Sequence, residues 1–230
     1  MTTVSVIVPA YNEEATITKV LEAVRAQRIE GIEFEIVVID DGSTDGTLER
    51  LKANPGLYDQ LVEQRPNQGK GAAVKAGLAR ATGEYVLFQD ADLEYSPSDY
   101  GAMMLPVREF DADIVFGSRF LAPRYQRVHY FWHMVGNRFI TLLFNVLYNT
   151  TFSDIYSCYL MYRRKLVDPN GLKSMGWDQH AEILATAVKS AEVNYEVPIS
   201  YHGRSYAEGK KIRAHHVIGV ILMIVKKRFG

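Results

Sequence analysis

Tyr85-Val86-Leu87-Phe88-Gln89-Asp90-Ala91-Asp92 reads as a short apolar strand that runs straight into two carboxylates. Four apolar residues in a row, with no polar alternation, suit a strand covered on both faces, as in a parallel sheet. On either side of it the same pattern recurs. Val4-Ser5-Val6-Ile7-Val8 reads as a buried strand that stops at Pro9, whose missing amide would break a ladder. Phe34 to Ile39 is a second strand, closed by the polar turn Asp40-Asp41-Gly42-Ser43-Thr44-Asp45-Gly46. Leu61-Val62 begins another, and Ile114 to Gly117 one more. Helical segments separate them. Asn12 is placed to cap the first, with Glu13 and Glu14 in its opening turn and Ile17, Val20, Leu21 and Val24 on one face. Further helices are expected from about Asp45 to Ala53, from Gly69 to about Ala81, and after Pro97. Strands alternating with helices make βαβ units, so the fold class is α/β, a mostly parallel sheet flanked by helices. Ligands in such folds sit at the carboxyl ends of the strands, where the polar clusters fall.

The second half loses this alternation. His129 to Tyr148 is aromatic-rich and reads as a helix, Cys158 to Tyr162 as a strand, Asp178 to Lys189 as a helix, and Val193 to Tyr201 as a strand. The stretch from Gly203 to Arg213 is basic and loop-like. With 230 residues, 47% of them hydrophobic, and no repeat or low-complexity linker, one domain spanning 1–230 is expected. Its formal charge of -1 hides a split, because residues 1–118 carry net -10 and residues 119–230 net +9. Opposed halves suggest two jobs along one chain.

Cys158 is the only cysteine, which excludes an internal disulfide and a cysteine-based zinc site. The N-terminus lacks the charged-then-apolar pattern of a signal peptide, and Val217 to Val225 is about half the ~20 apolar residues a membrane span needs. A cytoplasmic location follows as an expectation. Contact with a membrane surface stays open, because Val217 to Val225 ends in Lys226-Lys227-Arg228. In addition, Tyr130-Phe131-Trp132, Phe139, Leu142, Leu143, Val146 and Leu147 gather around Arg138. Packing on the domain or a dimer contact would use the same residues, and the oligomeric state is unreadable.

Three clusters carry the chemistry. Asp90 and Asp92, one residue apart at a strand end, can face one hard cation, with Glu94 as a third oxygen donor. Such a turn can equally be a solvated acidic cap. Asp40-Asp41-Gly42-Ser43 offers a carboxylate for a base N–H or ribose hydroxyls, or simply an Asx turn. Gly69-Lys70-Gly71 is neither a P-loop, because Gly71 stands where Ser or Thr is needed, nor a dinucleotide fingerprint, because Val74 replaces the third glycine. It leaves a lysine and amides at a helix start, suited to an anion. Arg119, Arg138 and Arg204, with Lys210, Lys211 and Arg213, could converge on a phosphate or form a solvated basic face. The histidines show no zinc-protease spacing.

Together these segments resemble family 2 glycosyltransferases of the GT-A (Rossmann-like) fold, and within them the dolichyl-phosphate mannose/glucose synthase group. The matching stretches are Ser5 to Glu14, Val37 to Thr47, Asn67 to Gly71, Gln89 to Glu94 and Gly117-Ser118-Arg119. Later come Val197-Pro198-Ile199, Arg204 and Glu208 to Lys211. The resemblance spans roughly 4 to 213 and implies roles by position. Pro9, Ala10, Tyr11 and Glu13 would line a nucleotide pocket, Asp40 or Asp41 would read the base, and Lys70, Asp90 and Ala91 would lie against the nucleotide. Asp90 and Asp92, with Glu94, would hold Mg²⁺ or Mn²⁺ on the donor diphosphate. Arg119, Arg204 and Lys210, with Arg138 as a further arginine, would hold the acceptor phosphate. Residues 1–118 would then be the donor half, 119–213 the acceptor half and 214–230 a basic amphipathic tail. Glu94 stands where this group often has Gln, and many relatives continue into transmembrane helices.

The implied reaction is inverting transfer of one sugar from a UDP- or GDP-linked donor to a polyprenyl or dolichyl phosphate, at the cytoplasmic face of a membrane. Asp92, Arg119 and Arg204 would be the catalytic residues, and no nucleic acid would be involved. An anionic phosphate nucleophile needs no general base. A hydroxyl acceptor would need one, for which Asp178 or Glu182 are the options. A non-catalytic nucleotide-binding regulator on the same fold is the remaining reading, opposed by the intact pair of aspartates.

Overall fold

The computed structural model describes residues 1–121, 131–203 and 216–230. Seven strands, Thr2–Ala10 (β1), Ile32–Asp40 (β2), Gln60–Glu63 (β3), Tyr85–Phe88 (β4), Ile114–Ser118 (β5), Leu160–Arg163 (β6) and Asn194–Pro198 (β7), form one sheet. Its order is β3-β2-β1-β4-β6-β5-β7. All neighbours pair in parallel except β6, which is antiparallel to both β4 and β5. The helices are Ile17–Arg25 (α1), Thr47–Ala53 (α2), Lys70–Leu78 (α3), Tyr100–Phe110 (α4), Phe131–Tyr148 (α5), Gln179–Val188 (α6) and His216–Phe229 (α7). This is the mostly parallel α/β sheet that the alternation predicts. Because β6 wedges between β4 and β5, the two charge-opposed halves of the chain complete a single sheet.

Burial explains the unbroken apolar strands. Val4, Val6, Ile7 and Val8 of β1 and Ile36 to Ile39 of β2 are fully buried, so neither face has a wet side to call for alternation. The predicted face of α1, Ile17, Val20, Leu21 and Val24, is the buried one. In α3 a glycine sets the spacing. A Cβ on Gly77 would stand 2.6 Å from side-chain atoms of Ile7 and Ile39, so only glycine lets this helix lie so close to β1 and β2.

Several boundaries differ from the sequence reading for identifiable reasons. β1 continues through Pro9 to Ala10, because β4 pairs with β1 only over Val4 to Ile7 and the proline stands beyond that ladder. Asn12 is not a helix cap. It has φ 53°, and its Oδ1 accepts from the Thr44 amide at 2.8 Å, tying the β1–α1 loop to the turn after β2. The second helix begins at Thr47, whose amide donates to Asp45 Oδ1 at 3.0 Å. The strand expected over Val193 to Tyr201 covers only Asn194–Pro198, with Tyr201 bridging Tyr95 alone. The tail helix extends past the apolar run and includes Lys226, Lys227 and Arg228. It is docked on the domain. Val220 and Ile224 are buried, the Tyr148 hydroxyl donates to the Ile224 carbonyl at 3.0 Å, and Lys227 pairs with Glu182 of α6 at 2.8 Å.

Candidate active site

The carboxyl ends of β1, β2, β4 and β5 open into one cleft of about 850 Å³. At one end it is lined by Pro9, Ala10, Tyr11, Glu13, Asp41, Asn67 and Gly69. In the middle lie Lys70, Asp90, Ala91, Asp92 and Glu94, and beyond them Arg119 and Phe120. The far end is apolar, walled by Trp132, Met134 and Ile140 of α5, Ile183 of α6, and Val217 and Val220 of α7.

The polar end is built by hydrogen bonds between loops. The Asp41 carboxylate accepts from the amides of Gln68 (2.9 Å) and Gly69 (2.8 Å) and from Asn67 Nδ2 (2.9 Å). It therefore holds the loop that starts α3. Burial pushes its carboxyl up, against the pull of those amides. Asp40, the other expected base-reading residue, is fully buried and not part of the cleft wall. Its Oδ2 accepts from Ser43 N at 3.3 Å and its Oδ1 has no hydrogen-bond partner among the described residues. Gly71 donates its amide to the Met175 carbonyl at 3.0 Å, and a Cβ there would overlap the Met175 backbone. So α3 begins in contact with the loop leading to α6.

Lys70 Nζ donates to Asp90 Oδ1 at 2.5 Å and lies 5.4 Å from the centroid of the Trp177 ring. Burial opposes both charges, but each partner outweighs it. Asp90 is held below the usual carboxylate range and Lys70 is raised. Gln89 fixes the turn from behind. Its Oε1 accepts from the hydroxyls of Tyr100 and Tyr159, and its Nε2 donates to the Asp90 carbonyl at 2.9 Å. Asp92 Oδ1 accepts from the Glu94 amide at 3.1 Å.

Glu94, the third expected oxygen donor, lines the same cleft as Asp90 and Asp92. Its carboxylate accepts from the Tyr201 hydroxyl at 2.8 Å, and no three His, Cys, Asp or Glu side chains converge for a metal ion among the described residues. What remains at the strand tip is a pair of carboxylates, Asp90 and Asp92, one already sharing its charge with a lysine. An all-oxygen pair of this kind fits a hard ion such as Mg²⁺ or Mn²⁺ that takes its other ligands from water and a diphosphate.

Further along the cleft, Arg119, the expected acceptor-phosphate residue, does not present a free guanidinium. Its Nε and Nη2 donate to the two oxygens of Asp154 at 2.7 and 2.9 Å, and Asn137 Nδ2 and the Tyr156 amide donate to the same carboxylate. Asp154 is fully buried. Burial resists its charge, but Arg119 holds its carboxyl below the usual range. The Arg119 guanidinium also lies 5.1 Å from the Tyr201 ring centroid and 5.9 Å from that of Phe120. Arg138 is exposed on α5 and outside the cleft wall, with its guanidinium 5.7 Å from the same Phe120 ring, at the rim. Arg204 and Lys210 lie outside the described residues.

Sequence reasoning placed α6 but did not single out Asp154, Tyr201, Gln179 or His180 as site residues. Tyr201 links the two halves, since its hydroxyl binds Glu94 while its ring faces Arg119. An isolated acid in a basic half was the only available signal for Asp154. The two residues considered as general bases are already engaged. Glu182 is fully buried and accepts from the amides of Lys173 and Ser174 and from Lys227, while Asp178 accepts from the Ser174 hydroxyl; neither lines the cleft. His180 does line it. Its ring packs 6.1 Å from Phe88, 5.8 Å from Phe116 and 6.1 Å from Tyr156, and burial together with nearby Lys70 lowers its pKa to about 4, so it is neutral.

Residues 5–170 match the family model described as Glycosyl transferase family 2. The chain belongs to that family. It is 31% identical over 207 residues (88% of this chain, 48% of the relative) to the low-salt glycan biosynthesis hexosyltransferase Agl6 of Haloferax volcanii. Over 138 residues (55% and 42%) it is 38% identical to the dolichyl-phosphate beta-glucosyltransferase ALG5D of Trichomonas vaginalis. Over 214 residues (90% and 61%) it is 28% identical to a dodecaprenyl-phosphate galacturonate synthase of Rhizobium johnstonii. The chain thus spans about half the length of these curated relatives. Among solved structures, glucosyl-3-phosphoglycerate synthase of Mycobacterium tuberculosis, in complex with Mn²⁺, UDP and glucosyl-3-phosphoglycerate, superposes with a TM-score of 0.69 at 21% identity. That match covers 99% of this chain and 80% of the other. The fold is GT-A.

Proposed function

We propose that this chain transfers one sugar, with inversion, from a UDP- or GDP-linked donor to a polyprenyl or dolichyl phosphate. The observation that carries this reading is the cleft itself. It runs from a nucleotide-sized polar end, past two carboxylates at a strand tip, to an apolar end under α5 and α7. Two relatives are named for dolichyl-phosphate and dodecaprenyl-phosphate acceptors, which favours the same acceptor class here.

Asp90 and Asp92 would hold Mg²⁺ or Mn²⁺ against the donor diphosphate; the bound ion supplies charge neutralisation to the leaving group. Lys70, beside Asp90, adds positive charge at the same place. Asp41, with Pro9, Ala10, Tyr11 and Glu13, would take the nucleoside. A phosphate oxygen of the acceptor would attack the anomeric carbon as the bond to the diphosphate breaks. Arg119 is aligned for that acceptor by its bidentate grip on Asp154, and Arg138, Arg204 and Lys210 would join it. The nucleophile is already anionic, so the engagement of Glu182 and Asp178 elsewhere costs the reaction nothing. The same engagement leaves a hydroxyl acceptor without either base weighed for it.

No helix among the described residues is long and apolar enough to cross a membrane. The two helices that wall the apolar end of the cleft nevertheless expose Trp132 (76%), Phe139, Leu142 and Val146 on α5 and Ile218, Leu222 and Phe229 (76%) on α7. With Lys226 and Arg228 on the same tail, this surface suits the plane of an anionic membrane, where a lipid phosphate would reach Arg119. The test is a transfer assay with UDP-glucose and GDP-mannose, a short-chain polyprenyl phosphate and Mn²⁺. A labelled lipid-phosphate sugar is expected. Its absence with every common nucleotide-sugar would refute the reading.

A further inference from the structure

Two buried side-chain nitrogens in residues of the cleft wall have no hydrogen-bond partner among the described residues. Gln179 is 3% exposed and its Nε2 is sealed and unpartnered; His180 Nε2 is in the same state. They are consecutive residues at the first turn of α6, and both line the cleft. Leaving a buried amide or imidazole nitrogen unsatisfied is destabilising, so two side by side are not neutral decoration. Their position is informative. The His180 ring packs on Phe88, two residues before Asp90, on Phe116, three before Arg119, and on Tyr156, two after Asp154. It therefore stands between the strand tip that would hold the diphosphate and the arginine that would hold the acceptor phosphate.

Whatever is transferred must lie between those two points. We propose that Gln179 and His180 form the subsite for the hydroxyl groups of the transferred sugar and set which hexose is accepted. The chemistry suits that ligand. A carboxamide and an uncharged imidazole each both donate and accept, as hydroxyl groups do, and the aromatic rings of Trp177 and Tyr156, both in the cleft wall, add apolar surface of the kind the C–H groups of a pyranose pack on. A site built from paired polar groups rejects a sugar that leaves them unmatched far more strongly than an apolar wall would. This inference rests on the nucleotide-sugar reading and specifies its sugar end.

Calorimetric titration of the full chain with UDP, GDP, UDP-glucose, UDP-galactose and GDP-mannose, with Mn²⁺ present, tests it. The readout is the ratio of the bare diphosphate Kd to the nucleotide-sugar Kd. Gln179→Leu and His180→Phe are expected to bind the bare diphosphate within about twofold of wild type and to lose about tenfold of the sugar's contribution. His180→Asn, which keeps a hydrogen-bonding group in a smaller volume, is expected to change the glucose-to-galactose ratio, and it carries the comparison should Phe at position 180 prevent folding. A merely structural role would move both Kd values together and leave the ratio alone. The same ratio in wild type and all variants, or no sugar contribution in wild type, overturns the subsite while the donor reading stands. Failure of wild type to bind either UDP or GDP sinks both.

Discussion

The two ends of the cleft are built differently. At the proposed donor end Asp41 and Lys70 come from a strand tip and the loop beside it, and their partners belong to another such motif: Asp41 with Gln68 and Gly69, Lys70 with Asp90. At the acceptor end Arg119 follows β5 directly, but its partner Asp154 lies 35 residues further on, in an irregular stretch between α5 and β6. The donor end is thus a property of short motifs on a parallel sheet, whereas the acceptor end depends on how α5, α6 and α7 pack over that sheet. The difference separates what should fail in chemistry from what should fail in folding.

The largest effect is expected at the strand tip. Asp92→Asn should lower kcat by about 10³-fold or more in the lipid-phosphate transfer assay, with little change in melting temperature, because a half-exposed turn residue supports the reaction rather than the core. A variant with normal rates would break the donor-end assignment. At the other end, Asp154→Asn should cost about 3 kcal/mol of stability in urea unfolding, because Arg119 would be left buried without its counter-charge. A neutral result there would mean that the buried pair is not what shapes the acceptor end. The pH dependence follows from the same pair. Asp154 is held below its unfolded value, so its contribution is present at neutral pH and is lost as pH falls below about 5 and on through the folded value. The Asn variant should show a shallower acid limb.

A smaller change is expected on the outer surface. Phe139→Asp with Leu142→Asp should weaken sedimentation with anionic vesicles about tenfold and leave the transfer of sugar to a detergent-dispersed short-chain acceptor nearly unchanged. Equal vesicle binding by this variant and wild type would take α5 out of the membrane contact. A last effect, confined to acidic pH and absent at neutral pH, concerns His180. Its folded pKa of about 4 lies below the ordinary value near 6.5, so folding stability should fall as pH drops from about 6.5 to 4, and His180→Gln should flatten that part of the curve in thermal melts.

The strands of the first half, the helix face at Ile17, Val20, Leu21 and Val24, and the carboxylates at the fourth strand were all legible in the chain. In each case the signal lies within a few consecutive residues, where periodicity and turn chemistry act. For Glu94, proximity in sequence to Asp90 and Asp92 gave no sign of the hydrogen bond it accepts from Tyr201, which only the fold supplies. Between Asp40 and Asp41 the sequence offered no choice, and in the fold Asp41 lines the cleft while Asp40 is fully buried outside its wall.

By itself, then, the sequence determined the parallel βαβ framework, the apolar core of β1 and β2, and the placement of acidic groups at strand ends, all consequences of local periodicity and backbone chemistry. Tertiary structure alone decided that Asp154 grips Arg119, that Lys227 secures α7 to Glu182, and that Gln179 and His180 line the cleft with their Nε2 atoms unpartnered among the described residues. Those outcomes depend on contacts between segments tens of residues apart, where burial and the demand to satisfy buried polar groups choose the partner.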